Sequence, residues 1–476
     1  MPFSSDITTL SLDFHSLRQA YANGLTATAL VQEVVRRINA KQNSYIWTHV
    51  VDLEDLLQRA RDIDRIRTQS PTLPLLGLPY GVKDNIDVTG IPTTAGCNSF
   101  SYISERTATV VTKLHEAGGI LIGKQNMDQF ATGLVGIRSP HGYCRNPFDE
   151  RYIPGGSSSG SAVAVSTGQV SFSIGSDTGG SGRVPAALNN IIGLKPTPGV
   201  ASTYGFLYCN RSFDVAPIFA LEADDAYDVL DTIKGYDERD IYSKVSVDAS
   251  KDMAERLPST FQFAVPSQKD LTFFGDDLAQ AQFTNAVERL KVLGGVPIEI
   301  DFAAFLEAGT MVFNSPLIAE RWLTYGDIAA SNAEDVHPSV RQAILAAEKY
   351  SAADTFRVQY RLQELKKEVN RLLAKYAFLL VPTTGTVYRC DEVEANPIQL
   401  NSHLGYYTYF ANPLGLCGIS VPSGLRKDGL PTGVSLLSTA FNDYRLRPYA
   451  IALHASVGGY LGATTHGLNT RQKDAA

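Results

Sequence analysis

The chain is poor in several things, and each scarcity closes a class of function. Among its 476 residues there are five cysteines, Cys97, Cys144, Cys209, Cys390 and Cys417, far apart, odd in number and without a C-x-x-C pair. That argues against a disulfide framework or a zinc ribbon and fits the reduced thiols of a cytoplasmic protein. The eight histidines are scattered and form no H-x-x-x-H pair. No metal and no cofactor is expected. Lysines and arginines nowhere cluster among aromatics, and the net charge is −7. A phosphate-neutralising face is missing, so nucleic acid is not an expected partner. No apolar run reaches the roughly 20 residues of a membrane helix. The opening "MPFSSDITTLSLDF" lacks the basic-then-apolar layout of a signal peptide. A membrane is therefore not an expected partner either.

What is present is ordinary globular material, 44% hydrophobic and 19% charged. Residues 14–40 and 51–67 have helical spacing, with Leu17, Tyr21, Leu30, Val31, Val34, Val35 and Ile38 on one stripe. "TATVVTKLHEAGG" then "ILIGKQN", "DDLAQAQFTNAVERLKVLGG" then "VPIEIDF", and "YRLQELKKEVNRLLAKY" then "AFLLVP" each read as helix followed by strand. "QVSFSIGSD" alternates Val170, Phe172 and Ile174 as a strand does. This alternation predicts an α/β fold with a large parallel or mixed β-sheet between layers of helix. No repeat or charged linker divides the chain. One large domain is expected, with a helical part over 1–70 packed on a core over 71–460 and a polar tail over 461–476. The stretch 235–260 reads as an exposed excursion.

"GGSSSGS" at 155–161 has the composition of a flexible linker, but "AVAVSTGQVSFSIG" follows at once, small and apolar, as buried sequence is. "GSSSG" also matches the G-x-S-x-G nucleophile elbow, with Ser158 as nucleophile. That motif needs a strand before it, and "NPFDERYIP" is not one. A phosphate loop is excluded because no G-K-[ST] follows the glycines.

Taken with "GLPYGVKDNIDVTG" and "GSDTGGSGRVPAALNNIIGLKPTPG", the block "GGSSSGSAVAV" resembles the amidase-signature family of hydrolases, three separated motifs in family order. The resemblance runs from about residue 70 to about residue 455 and implies a serine–cis-serine–lysine triad. The matching positions are Lys83, Ser157 and Ser181, with the two serines 24 residues apart. The chemistry is sound on its own terms. A serine hydroxyl needs a base beside it, and lysine serves when burial keeps the amine neutral. On this scheme Ser181 attacks an amide carbonyl and Ser157 relays its proton to Lys83. The backbone N–H groups of Thr178, Gly179, Gly180 and Ser181 receive the oxyanion. Asp177 and Arg183 are expected to hold that loop by charge-assisted hydrogen bonds.

Within the family, "IGKQNMDQFATGL", "FDVAPIFALEADDAYDVL" and the "SGR" after the nucleophile are most similar to allophanate hydrolases. That likeness implies a small amide substrate bearing a carboxylate, read by Arg321 in "NSPLIAER", with Phe313, Thr132 and Gly133 also lining the site. A surface ion pair with Glu320 is the competing reading of Arg321. Phe313 stands where the family pattern has tyrosine, so one hydroxyl is missing. The likeness also implies a homodimer, and a C-terminal domain for the first product, for which a naturally short chain, a separate partner protein and a truncated chain are the open readings. Another small carboxylated amide or a biuret relative, or a glutaminase-type component of an amidotransferase, are the alternative functions.

Overall fold

Short runs rich in valine, isoleucine and leucine form the interior of one sheet, because such side chains pack best on a pleated surface covered on both faces. The computed structural model describes residues 6–40, 45–69, 73–245, 256–331 and 333–468. Its main sheet holds β1 (Trp47–Val50), β2 (Pro79–Lys83), β3 (Ile120–Gln125), β4 (Phe172–Ile174), β5 (Ile192–Lys195), β6 (Ile218–Ala220), β7 (Phe261–Pro266), β8 (Gly295–Ile300), β9 (Leu379–Pro382), β10 (Cys417–Leu425) and β11 (Pro431–Ser438). The order across the sheet is β1-β3-β2-β4-β6-β5-β10-β11-β9-β7-β8. β2 runs parallel to β3 and β4, and β7 runs parallel to β8 and β9. The remaining pairings are antiparallel. The sheet is mixed, and its inner strands are buried on both faces beneath helices, as the alternation predicts.

Several local expectations need correction. The stretch 14–40 is two helices, Phe14–Ala22 and Ala27–Ala40, because the chain turns at Asn23–Gly24. Phe14 packs edge-on against Phe172 with ring centroids 5.7 Å apart, and Phe172 stacks on Tyr80 at 5.2 Å. The alternation of Val170, Phe172 and Ile174 does not separate an inner from an outer face, since Ser173 is buried as well. The excursion at 235–245 is exposed as expected, with Tyr236, Ile241 and Val245 facing out, and it is anchored at two aspartates. Asp237 accepts from the hydroxyls of Thr109 and Ser202, and Asp240 accepts from the Thr203 backbone at 2.7 Å. Residues 246–255 of that stretch lie outside the described residues, as does the tail over 469–476. The first residues of the tail are not frayed. Leu461 is buried and Ala463 N–H donates to Ser166 O at 2.8 Å.

The serine-rich block begins a helix in the middle of the core. Every residue of Ser159–Ser166 is buried. Its composition follows from close approach: a Cβ on Gly160 would lie 2.6 Å from the backbone nitrogen of Asn126. A linker is excluded.

Candidate active site

β2 and β4 are parallel neighbours with Val82 in register with Ile174, so both chains leave the sheet side by side. The ends of parallel strands are where a doubly covered sheet leaves room for a site. Lys83 closes β2, and the loop after β4 carries Ser176 through Arg183. The turn before the helix Ser159–Ser166 brings Ser157 between them, following a cis peptide bond at Gly156–Ser157.

The three sequence-selected side chains meet in file. Lys83 Nζ lies 2.7 Å from Ser157 Oγ, and Ser157 Oγ lies 2.8 Å from Ser181 Oγ. Lys83 and Ser157 are fully buried and Ser181 is 3% exposed. Ser176, which no motif singled out, completes the lysine's surroundings, accepting from Nζ at its hydroxyl (2.8 Å) and its carbonyl (3.3 Å). Asn85 Nδ2 donates to the same hydroxyl at 3.1 Å. Burial pulls the Lys83 ammonium down to about 8, only partly offset by Cys209, Asp128, Asp214 and Asp177. An amine so placed sheds its proton near physiological pH.

Asp177 and Arg183 brace the loop that carries Ser181 by charge-assisted hydrogen bonds. Arg183 donates from Nε to Asp177 Oδ2 at 3.0 Å and from Nη2 to Oδ1 at 3.1 Å. The carboxylate also accepts from the backbone N–H groups of Gly180 at 2.8 Å and Gly182 at 2.9 Å. This corrects one expectation: the Gly180 N–H is engaged by Asp177 and does not face an oxyanion. Glycine is needed there for another reason. Its φ is +133°, and a Cβ would come within 2.8 Å of Thr408 Cβ. Among the described residues nothing accepts from the N–H groups of Thr178, Gly179 or Ser181, which remain as a donor set.

Arg321 is not a surface residue. It is fully buried on the helix Ala319–Ala330, its guanidinium centred 4.4 Å from the Phe313 ring centroid. Glu320 does not pair with it and instead accepts from Ser212. Arg321 Nε donates to Cys209 Sγ at 2.8 Å, and among the described residues Nη1 and Nη2 have no hydrogen-bond partner. Arg321 is among the residues around a cavity of about 530 Å³, with Thr132, Arg138, Phe313, Asn401 and Tyr409. The nucleophile loop adjoins this space, since a Cβ on Gly179 would lie 3.0 Å from Tyr409 Cδ1. Thr132 and Phe313 are thus brought to the same cavity as Arg321. Gly133 packs instead behind its wall, between Asp128 and Arg138. The hydroxyl of Ser158, the elbow candidate, donates to Ser176 O at 3.2 Å, and the residue follows an irregular segment rather than a strand. No group of three or more histidine, cysteine, aspartate or glutamate side chains fit to hold a metal occurs among the described residues.

Cys209, Asp214 and Ser176 are the site residues that motif reading missed. Asp214 is fully buried, its carboxyl pushed up to about 7 by that burial, and it accepts from Thr178 Oγ1 at 2.5 Å. Ser176 lies in the "GSDTGGSGR" block and Asp214 at the start of "FDVAPIFALEADDAYDVL", but neither block assigns them a partner, and Cys209 lies outside both.

A mixed α/β sandwich with a buried lysine and two serines in file at its strand ends is the arrangement of an amide-cleaving hydrolase. The chain belongs to the amidase family, whose model matches residues 29–446. It is 39% identical over 438 residues to the urea amidolyase of Saccharomyces cerevisiae, a match covering 91% of this chain and 23% of that protein. It is 32% identical over 462 residues to a glutamyl-tRNA(Gln) amidotransferase component from Exiguobacterium sibiricum, covering 90% of this chain and 94% of the relative. The structure of allophanate hydrolase from Kluyveromyces lactis superposes with a TM-score of 0.91 at 34% identity, over 98% of this chain and 77% of that one. The chain thus spans less than a quarter of the yeast urea amidolyase.

Proposed function

We propose that the chain hydrolyses the terminal C–N bond of allophanate, urea-1-carboxylate, releasing ammonia through an acyl-enzyme on Ser181. The observation that carries the substrate reading is Arg321, a fully buried cation whose Nη1 and Nη2 have no hydrogen-bond partner, and which pairs with no carboxylate, among the described residues. A buried guanidinium without an anion is costly, and a substrate carboxylate accepting from Nη1 and Nη2 supplies the missing partner. The relatives named urea amidolyase and allophanate hydrolase support the same substrate.

The proton route follows from the file of contacts. With Lys83 neutral, Ser181 O–H donates to Ser157 Oγ and Ser157 O–H donates to Nζ. As Ser181 Oγ bonds to the terminal carbonyl carbon, its proton passes to Ser157 while the Ser157 proton passes to Lys83. The oxyanion faces the N–H groups of Thr178, Gly179 and Ser181. Such fixed donors are worth about 2.7–4 kcal/mol each in the barrier. The proton then returns through Ser157 to the departing nitrogen, the C–N bond breaks and ammonia leaves. Water, deprotonated along the same path, splits the ester to a dicarboxylate with its two carboxyl groups on one nitrogen. The proposal includes a cytoplasmic homodimer, checked by light scattering, and a separate protein or domain that takes over the dicarboxylate.

The test is ammonia release from fresh allophanate beside biuret, malonamate and glutamine, with Ser181→Ala as control. Release from allophanate that vanishes in the variant is the expected result. Turnover of glutamine in preference to allophanate would overturn the substrate and favour the amidotransferase relatives.

A further inference from the structure

The turn 209–215 joins the two halves of the site. On one side it grips the elements that carry Arg321. Cys209 Sγ accepts from Arg321 Nε at 2.8 Å, Asn210 Nδ2 donates to Leu317 O at 2.6 Å, and Ser212 donates to Glu320. On the other side it grips the nucleophile loop. Val215 and Asp177 exchange two backbone bonds at 3.1 Å, and Asp214 Oδ1 accepts from Thr178 Oγ1. Within the turn, Cys209 N–H donates to Asp214 Oδ2 at 2.7 Å, so the residue touching Arg321 and the residue touching Thr178 are bonded to each other. Cys209 and Asp214 are both buried, so water does not compete for these bonds.

We infer that this turn is the spacer that fixes how far a substrate carboxylate lies from Ser181, with Cys209 as the positioning residue that aims Arg321. The inference rests on Arg321 reading a carboxylate, as proposed above. A guanidinium can meet a carboxylate side-on, through Nε and one Nη, or end-on, through Nη1 and Nη2. Sulfur occupies Nε, so only the end-on face is offered. The thiol itself donates to Ala131 O at 3.5 Å, beside Thr132 of the cavity wall. That bond fixes the sulfur lone pair toward Arg321. Without the sulfur, the buried Nε–H has no acceptor, and the guanidinium turns toward whatever carbonyl it can reach.

Allophanate and biuret differ only in carboxylate against carboxamide, and succinamate carries its carboxylate one atom farther from the amide than malonamate does. In Cys209→Ala the KM for allophanate should rise about tenfold, the effect of one lost bond to a charged group, with kcat within about twofold. Cys209→Ser, whose hydroxyl can accept from Nε and donate to Ala131 O, should recover most of the loss. The preference for malonamate over succinamate should narrow in the alanine variant. Labelling of Ser181 by a small fluorophosphonate, which needs no carboxylate reader, should not fall in either variant, since losing Cys209 removes one of the influences that favour the charged Lys83. An unchanged KM in Cys209→Ala, or a parallel fall in labelling, would overturn the inference, the latter marking a merely structural role. Arg321→Ala separates the two levels. If it removes the preference for allophanate over biuret while Cys209→Ala does not, only the spacer is wrong. If it leaves that preference intact, Arg321 is not the reader and both fall.

Discussion

Arg183 clasps Asp177 through two parallel hydrogen bonds, at 3.0 and 3.1 Å, with both side chains fully buried behind the nucleophile loop. Burial pushes the Asp177 carboxyl up, but the charge and hydrogen bonds of Arg183, the Lys195 charge and the Gly180 N–H together outweigh it and hold the group below its ordinary value. Removing the guanidinium leaves a buried carboxylate without its ion-pair partner, held among the described residues only by the Gly180 and Gly182 N–H groups. Arg183→Ala should cost about 3–5 kcal/mol in urea unfolding at pH 7. The sign with pH follows from the lowered folded value. The stabilisation is present above the ordinary carboxylate range and is lost as pH falls through the folded value, so the gap to wild type should narrow in acid.

The Lys83 amine predicts two opposite pH effects. Only the free amine accepts a proton, so kcat/KM should climb about tenfold per unit below pH 8 and level off above it. Stability bears the reverse cost. Below pH 8 the folded protein buries a charge that the unfolded chain solvates, and that cost is relieved as pH rises from about 8 towards the free-lysine value. Lys83→Met should therefore be inactive yet melt higher than wild type at pH 7. Its advantage should shrink as pH is raised from about 8 to 10, which calorimetry at both pH values reads directly.

Much of this is legible in one dimension. The helix–strand alternation announces the covered sheet, and the resemblance of three separated motifs to the amidase-signature family is what points to Lys83, Ser157 and Ser181. Arg321 is legible by position but not by setting: its helix hides it, and Cys209, 112 residues away, takes its Nε. Ser176 lies 93 residues from Lys83, and Asp214 lies 36 from Thr178. Such bonds leave no periodicity to read. Gly180 defeats a motif-based assignment because one N–H cannot serve both Asp177 and an oxyanion, and only the folded loop shows which it serves.

Phe313 supplies the face over which Arg321 lies, and its ring also meets Tyr409 at 4.7 Å between centroids. Phe313→Ala removes a cation–π contact of roughly 0.5–2 kcal/mol, and should raise the KM for allophanate several-fold with little change in kcat. Phe313→Tyr keeps the face and adds a donor at the cavity, and should lower that KM by about threefold to tenfold. Steady-state kinetics on the two variants decides both.

Gly180→Ala is a loop variant rather than a chemical one. The added methyl meets Thr408, whose hydroxyl donates to Gly179 O at 2.8 Å, so the donor set must shift. Displaced oxyanion donors cost about 10²–10³ in kcat. That loss should appear with KM for allophanate nearly unchanged, because Arg321 lies on a different element.

The central claim is that Ser181, activated through Ser157 by Lys83, is the nucleophile. Intact-mass and peptide mapping after reaction with a small fluorophosphonate, followed across pH, tests it most directly. The account predicts one adduct per chain, located on Ser181, formed at a rate that rises through about pH 8 and abolished in Lys83→Met. An adduct on Ser158, or labelling of Ser181 at a rate indifferent to pH and to Lys83, would contradict it.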